Sequence, residues 1–197
     1  MELIGAINPE RPLLVVALHG EAAHLDTDLP ILITGVGKLA AATSLLGAMA
    51  ARPAEERPSK VINLGTAGAL RDGVHGTHQV GAVHQHDLDG PAIEALTGHN
   101  PSPILDLGDG PVLATGDAFV ADPAQRAALA AVADLCDMEG YAIASAARRL
   151  GLEVVLVKHV SDGADHEART TWVEAVAHSS HSLGDWLRSA DGRRQVG

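Results

Sequence analysis

Glycines, carboxylates and one aromatic ring gather where apolar runs of the chain end. Asn63-Leu64 leads into Gly65-Thr66-Ala67-Gly68, and Val112-Leu113-Ala114 into Thr115-Gly116-Asp117-Ala118-Phe119. Leu135-Cys136 leads into Asp137-Met138-Glu139-Gly140-Tyr141, and the run Val154–Val160 into Ser161-Asp162-Gly163-Ala164-Asp165. Small residues let a ligand approach the backbone. Acids facing one space suit glycosidic cleavage, which needs a proton donor for the leaving group and a carboxylate to activate water or steady an oxocarbenium-like sugar. If the leaving group is a nucleobase, an aromatic face completes the set, and Phe119 offers one. The same acids also suit a plainer task, because Asp137, Glu139 and Asp162 each stand where a carboxylate favours a helix N-terminus. On residue types alone both readings stand.

The elements that would position these residues follow from the spacing of apolar side chains. Runs rich in Val, Ile and Leu recur at Leu13–Leu18, Ile31–Thr34, Val61–Leu64, Val80–His84, Val112–Thr115 and Val154–Val160. Helix-like stretches lie between several of them, the rhythm of an α/β sheet covered on both faces. Helices are predicted at Lys38–Ala51, at Ala124–Ala133 behind the Asp122-Pro123 cap, at Met138–Leu150 before Gly151, and at Thr171–Leu187. In open α/β sheets ligands bind at the carboxyl ends of strands, which is where the acids and glycines fall. Residues 1–190 are expected to form one domain and Asp191–Gly197 a flexible, fraying tail. Asp87–Gly110, with three prolines and four glycines, is expected to be a functional loop in which only Ala92–Leu96 makes a short helical turn.

Composition narrows the partners. The 197 residues carry 14 basic and 25 acidic side chains, a net charge of −11, which opposes nucleic-acid phosphates. Two tryptophans, one tyrosine and one phenylalanine leave few platforms for stacking a run of bases. No apolar run approaches the roughly 18 to 20 residues of a membrane-spanning helix, so neither nucleic acid nor membrane is an expected partner. Cys136 is the only cysteine, which excludes an intrachain disulfide and fits a reducing cytoplasm. The first residues lack the basic region and apolar stretch of a secretory signal.

Five segments in order resemble the nucleoside phosphorylase and nucleosidase superfamily, and within it the 5′-methylthioadenosine/S-adenosylhomocysteine nucleosidases. They are Thr34-Gly35-Val36-Gly37-Lys38, Asn63 to Gly68, Thr115 to Phe119, Asp137-Met138-Glu139, and Val160 to Asp165. The resemblance implies a three-layer αβα fold with a central mixed β-sheet, and hydrolysis of a purine nucleoside that releases adenine without a cofactor. It assigns Asp162 as the acid that protonates the purine at N7, oriented by Ser161, and Glu139 as the acid that binds the ribose hydroxyls. Met138 then packs under the sugar, Phe119 stacks on the base, the Val120 backbone reads the base edge, and Thr66, Ala67 and Gly68 form a small-residue turn lining the site. Glu21 resembles the glutamate that activates water in hydrolytic members, or else it is a plain surface residue. The resemblance also implies a homodimer. A phosphate-dependent phosphorylase and a non-catalytic nucleoside-binding protein are the alternatives on the same scaffold.

Several positions depart from the family pattern. The polar stretch between Leu25 and Leu29 replaces a hairpin, Lys158 replaces arginine, and His84-Gln85-His86-Asp87-Leu88-Asp89 replaces an aromatic-containing loop. These changes touch the pocket for the 5′ substituent, where Trp172 offers a wall or else belongs to the core. Gly35-Val36-Gly37-Lys38 lacks the spacing of a phosphate loop and is expected to be tight strand-to-helix packing. The pairs His84/His86 and His178/His181 have no evident further ligands, so no metal is expected. His86, Asp87 and Asp89 are expected either at the mouth of the site or at a subunit contact, and His159 either tunes the neighbouring acid or fills its strand.

Overall fold

Leu13, Leu14, Val15 and Val16 are all buried, a pattern that a strand shows when both faces of its sheet are covered. Leu13 and Val15 join one core with the helix residues Ala41, Leu45, Met49 and Ile143, while Leu14 and Val16 join another with Leu183 and Leu187. The computed structural model describes residues 1–164 and 168–197, with side chains for all of these but 168–175 and 177. The strands are β1 (Glu2–Ile4), β2 (Leu13–Val16), β3 (Ile31–Ile33), β4 (Lys60–Ala69), β5 (Thr77–Gln79), β6 (Ala82–Gln85), β7 (Leu105–Asp106), β8 (Val112–Thr115), β9 (Leu135–Asp137) and β10 (Glu153–Asp162). The helices are α1 (His19–Ala22), α2 (Lys38–Ala50), α3 (Gly90–Thr97), α4 (Pro123–Ala130), α5 (Gly140–Arg149), α6 (Ala168–Arg188) and α7 (Ala190–Val196). Helices α2 and α5 cover one face of the mixed sheet and α6 with α7 the other, the three-layer arrangement that the sequence implies.

The sheet runs β1-β3-β2-β4-β9-β8-β6-β7, with β10 also on β4 and β5 on β10. Strands β2, β3, β4 and β10 are parallel, and so are β6, β8 and β9. The two groups meet with opposed polarity at Gly68↔Cys136 and Ala69↔Leu135, so their carboxyl ends converge. One edge of β4 pairs with β2 as far as Asn63 and with β9 only from Gly68 onward. Between these two neighbours, Leu64 to Ala67 present their edge to a gap, while the opposite edge stays paired to β10.

Three expectations change, and one strand is added. Gly65-Thr66-Ala67-Gly68 is not a turn but the continuation of β4, because its small residues fit between close neighbours: a Cβ at Gly68 would lie 3.0 Å from Asp162 Oδ1 and 3.1 Å from Cys136 Sγ. Residues Ala190–Val196 form a helix in place of an irregular tail. The Ser189 hydroxyl accepts from Gly192 N at 3.1 Å, and the half-buried Val196 packs against the core cluster that includes Leu183 and Leu187. The segment Asp87–Gly110 holds a full helix, α3, capped by the Asp89 carboxylate on Ala92 N, and the short strand β7. The three exposed residues of β1, in which Leu3 and Ile4 make too short an apolar run to mark a strand, pair with β3 through their backbone.

Candidate active site

The gap beside β4 opens into a concave pocket at the carboxyl ends of the strands, the usual place for a ligand in such a sheet. Glu21, Thr66, Ala67, Gly68, Phe119, Val120, Met138, Glu139, Ser161 and Asp162 all line it, so the residues picked out in the sequence share one space. Trp172 falls among the residues whose side chains lie outside the described set. Ala17, Leu18, Val36 and Cys136 line the pocket as well and carry no chemical signal in the sequence.

Glu21 is buried, which removes the surface reading. It sits in the single turn of α1 directly after β2, and its carboxylate takes the place of a missing strand on the free edge of β4. Oε1 accepts from Thr66 N at 3.0 Å, and Oε2 accepts from Ala17 N at 2.9 Å and Leu18 N at 3.1 Å. Three backbone donors thus fix where the carboxylate points.

Asp162 ends β10 after an irregularity in the pairing between Val160 and Asp162, a local bend of the kind that re-aims a side chain. Its Oδ2 accepts from Ser161 Oγ at 2.7 Å and its Oδ1 from Ala164 N at 2.8 Å, with Ala164 at φ +49°. The acid is therefore held on both oxygens while it faces the pocket.

The capping and catalytic readings divide between Asp137 and Glu139. Asp137 is the helix acid: Oδ2 accepts from Gly140 N at 2.8 Å and Oδ1 from Thr115 Oγ1 at 2.6 Å. Glu139 makes no cap bond to α5. Its Oε1 instead accepts from Gly37 N at 2.8 Å, so the segment Gly35–Lys38 does more than pack a strand against a helix. Burial, reinforced by the Asp137 carboxylate, pushes Glu139 up to about 8.

Lys158 was visible as a lone cation inside an apolar run, the mark of a buried partner. It is fully buried, and its Nζ lies 2.8 Å from Asp137 Oδ2. The ammonium passes over Gly65, where a Cβ would sit 3.0 Å from Nζ and 3.2 Å from Glu21 Oε1. Burial alone would lower Lys158, but the carboxylates of Asp137, Glu139 and Glu21 outweigh it and hold the group above its ordinary value. Lys38 is engaged elsewhere, by Asp87 and Asp117. Among the described residues that line the pocket, none is basic.

Cys136 is a buried thiol, pushed up to about 12 by burial and then by the neighbouring acids, which makes it a poor nucleophile. His159 Nδ1 lies 2.8 Å from Thr77 Oγ1, so its ring is tied to β5. His24 and His181 stack with ring centroids 3.7 Å apart. Among the described residues no group of three or more His, Cys, Asp or Glu is arranged to hold a metal ion, and no helix is long and apolar enough to cross a membrane.

Two tests follow from these electrostatics. Lys158→Met strands the Asp137 carboxylate without its cation, and denaturant unfolding should show a loss of about 3–5 kcal/mol, part of which returns in Lys158→Met/Asp137→Asn. Because Glu139 has a higher proton affinity folded (about 8) than unfolded (4.5), the fold loses stability as pH rises across that window. Glu139→Gln should therefore raise the Tm most above about pH 8 and leave it unchanged near pH 4; a lower Tm at pH 8 would contradict the burial argument.

The chain is similar in sequence and in fold to known proteins. The family model of the Phosphorylase superfamily matches residues 85–185. A 5′-methylthioadenosine/S-adenosylhomocysteine nucleosidase of Shewanella oneidensis is 27% identical over 206 aligned positions, which cover 84% of this chain and 85% of the relative. A nucleosidase of the same description from Helicobacter pylori, solved with a pyrrolidine-containing ligand, superposes with a TM-score of 0.77 at 18% identity, covering 92% of this chain and 97% of the other. Futalosine hydrolase of the same organism gives a TM-score of 0.79 at 17% identity, over 91% and 96% of the two chains. The Streptococcus pneumoniae nucleosidase with 8-aminoadenine gives 0.76 at 23%, over 90% and 96%. At these identities the structural likeness is one of fold.

Proposed function

The chain belongs to the phosphorylase superfamily, and on that premise we propose that it hydrolyses the N-glycosidic bond of a purine nucleoside, 5′-methylthioadenosine or S-adenosylhomocysteine, to release adenine. The observation that carries the proposal is the convergence of Glu21, Glu139 and Asp162 on one pocket with Phe119 at its wall. In this reading Phe119 stacks on the base, the Val120 backbone meets its edge, and Asp162 gives a proton to N7 so that adenine leaves neutral. Ser161 and the Ala164 amide keep the acid aimed. As the bond to the base lengthens, the sugar becomes cationic, and Glu139 binds its hydroxyls while Met138 packs beneath it. Glu21 takes a proton from the water that attacks the anomeric carbon, and its three amide donors set the direction of that attack.

Water is favoured over phosphate by the charges around the pocket. An anion in this pocket meets no free cation, because none of the described lining residues is basic and both nearby lysines are committed to carboxylates. Phosphate binding calls for the opposite arrangement, with cations and amide groups turned toward the anion.

We also propose a homodimer. Val36 lines the pocket yet is 43% exposed, and it continues into Leu39 at 77% and Leu46 at 37% on one face of α2, an apolar strip that a second chain would cover. The strip predicts a dimer by sedimentation and a monomer for Leu39→Glu. The buried free thiol of Cys136 supports a reducing, cytoplasmic setting.

The activity is tested by chromatographic detection of free base after incubation with methylthioadenosine, S-adenosylhomocysteine, adenosine and inosine, each with and without phosphate. Adenine should appear without phosphate, and Asp162→Asn should lower kcat by about 10²–10⁴ while binding persists. Release that requires phosphate would make the protein a phosphorylase. A ligand-induced rise in Tm with no free base would make it a nucleoside-binding protein.

A further inference from the structure

A knot of charges outside the pocket ties together the segments that follow β3, β6 and β8. Asp87 accepts from Lys38 Nζ on Oδ1 and from Asp117 N, at 2.8 Å, on Oδ2. Asp117 Oδ1 in turn accepts from Lys38 N at 2.8 Å, and its Oδ2 lies 3.6 Å from Lys38 Nζ. The Lys38 and Asp87 side chains are only 17% and 25% exposed, so this pair is partly sheltered from solvent screening. Beside it the His86 ring fills the space that a side chain at Gly116 would need.

The knot holds one residue in particular. Gly37, next to Lys38, has φ +94°, and a Cβ there would lie 3.2 Å from Asp117 Oδ1. Its N–H is the donor that fixes Glu139 Oε1 at 2.8 Å. Two residues beyond Asp117 stands Phe119 at the pocket wall. We infer that Lys38, Asp87 and Asp117 form a positioning clamp that sets the Glu139 carboxylate against the ribose hydroxyls and fixes its distance from the Phe119 platform. This rests on the nucleosidase reading above. None of the three side chains lines the pocket, so the clamp acts through Gly37 and the Gly116–Phe119 segment. Removing Asp87 takes from the Lys38 ammonium its nearer carboxylate, leaving only Asp117 Oδ2 at 3.6 Å, and takes from the Asp117 amide its acceptor, so the Gly37 turn loses support that holds its N–H on Glu139. A shift of about 1 Å at such a group is enough to cost up to 10²-fold in rate.

The experiment compares the wild-type chain, Asp87→Ala and Lys38→Met, with Arg11→Ala as a control that breaks an ion pair at the opposite end of β2. Each is assayed on a ribonucleoside and on its 2′-deoxy counterpart, and amide hydrogen exchange is followed over residues 35–38. In both clamp variants the kcat/KM preference for the ribo substrate should fall by about tenfold or more, and exchange at Gly37 should quicken by a similar factor; Arg11→Ala should change neither. Equal losses on both substrates, with the preference intact, would reduce the clamp to a stability element and overturn the inference. Unchanged exchange at Gly37 would overturn it as well. A wild-type chain that releases no base would refute the nucleosidase reading, and the exchange arm would then show separately whether the clamp holds Gly37.

Discussion

The ion pair between Lys158 and Asp137 is the constraint on which the site depends. Lys158 reaches from β10 across β4 to an acid at the end of β9, and so it fastens the two oppositely directed halves of the sheet beneath the pocket. Its desolvation is expensive, and the surrounding carboxylates offset that expense only because they lie close and are hydrogen-bonded in turn. Asp137 also starts α5 and receives the Thr115 hydroxyl, whose oxygen accepts from Tyr141 N at 3.0 Å. One carboxylate thereby sets the strand that precedes Phe119, the helix that follows Glu139, and the cation under Glu21.

That crossing is possible because β4 lacks side chains where others must pass. Gly65 leaves a channel for the ammonium, and Gly68 lets Asp162 and Cys136 approach from opposite edges. An ordinary central strand would have both edges paired. Here β2 ends early and β9 begins late, and the unpaired stretch between them is where Glu21 docks on Thr66. A local failure of sheet pairing, supplied with a carboxylate, is what makes the pocket.

Much of this was legible in the chain. The apolar runs marked the strands because side chains buried on both faces leave no polar alternation, and Asp122-Pro123 marked α4 because a carboxylate there accepts from free helix amides. The residues of the pocket were legible as the ends of those runs. What was hidden depends on contacts distant in sequence. Gly65 to Gly68 look like a turn until β10 is beside them, and Glu21 looks like any surface acid until Thr66 comes within 3.0 Å. Asp87 stands in a segment that reads as a loop, and its role comes from Lys38 and Asp117, far away along the chain. The tail became a helix through Ser189, whose hydroxyl caps it at Gly192 N, and through Val196, which packs against the cluster that includes Leu183 and Leu187 of α6.

The burial of Glu139 has a consequence for the ligands this pocket accepts. With its carboxyl held up to about 8, the empty site carries a proton there at neutral pH. A neutral ligand leaves that proton in place, but a cationic one, resembling the sugar as its bond breaks, makes the ionised form favourable and expels it. Uptake of such a cation is then a proton exchange with solvent: the heat observed varies with the ionisation enthalpy of the buffer, and affinity weakens about tenfold for each pH unit below the carboxyl's own value.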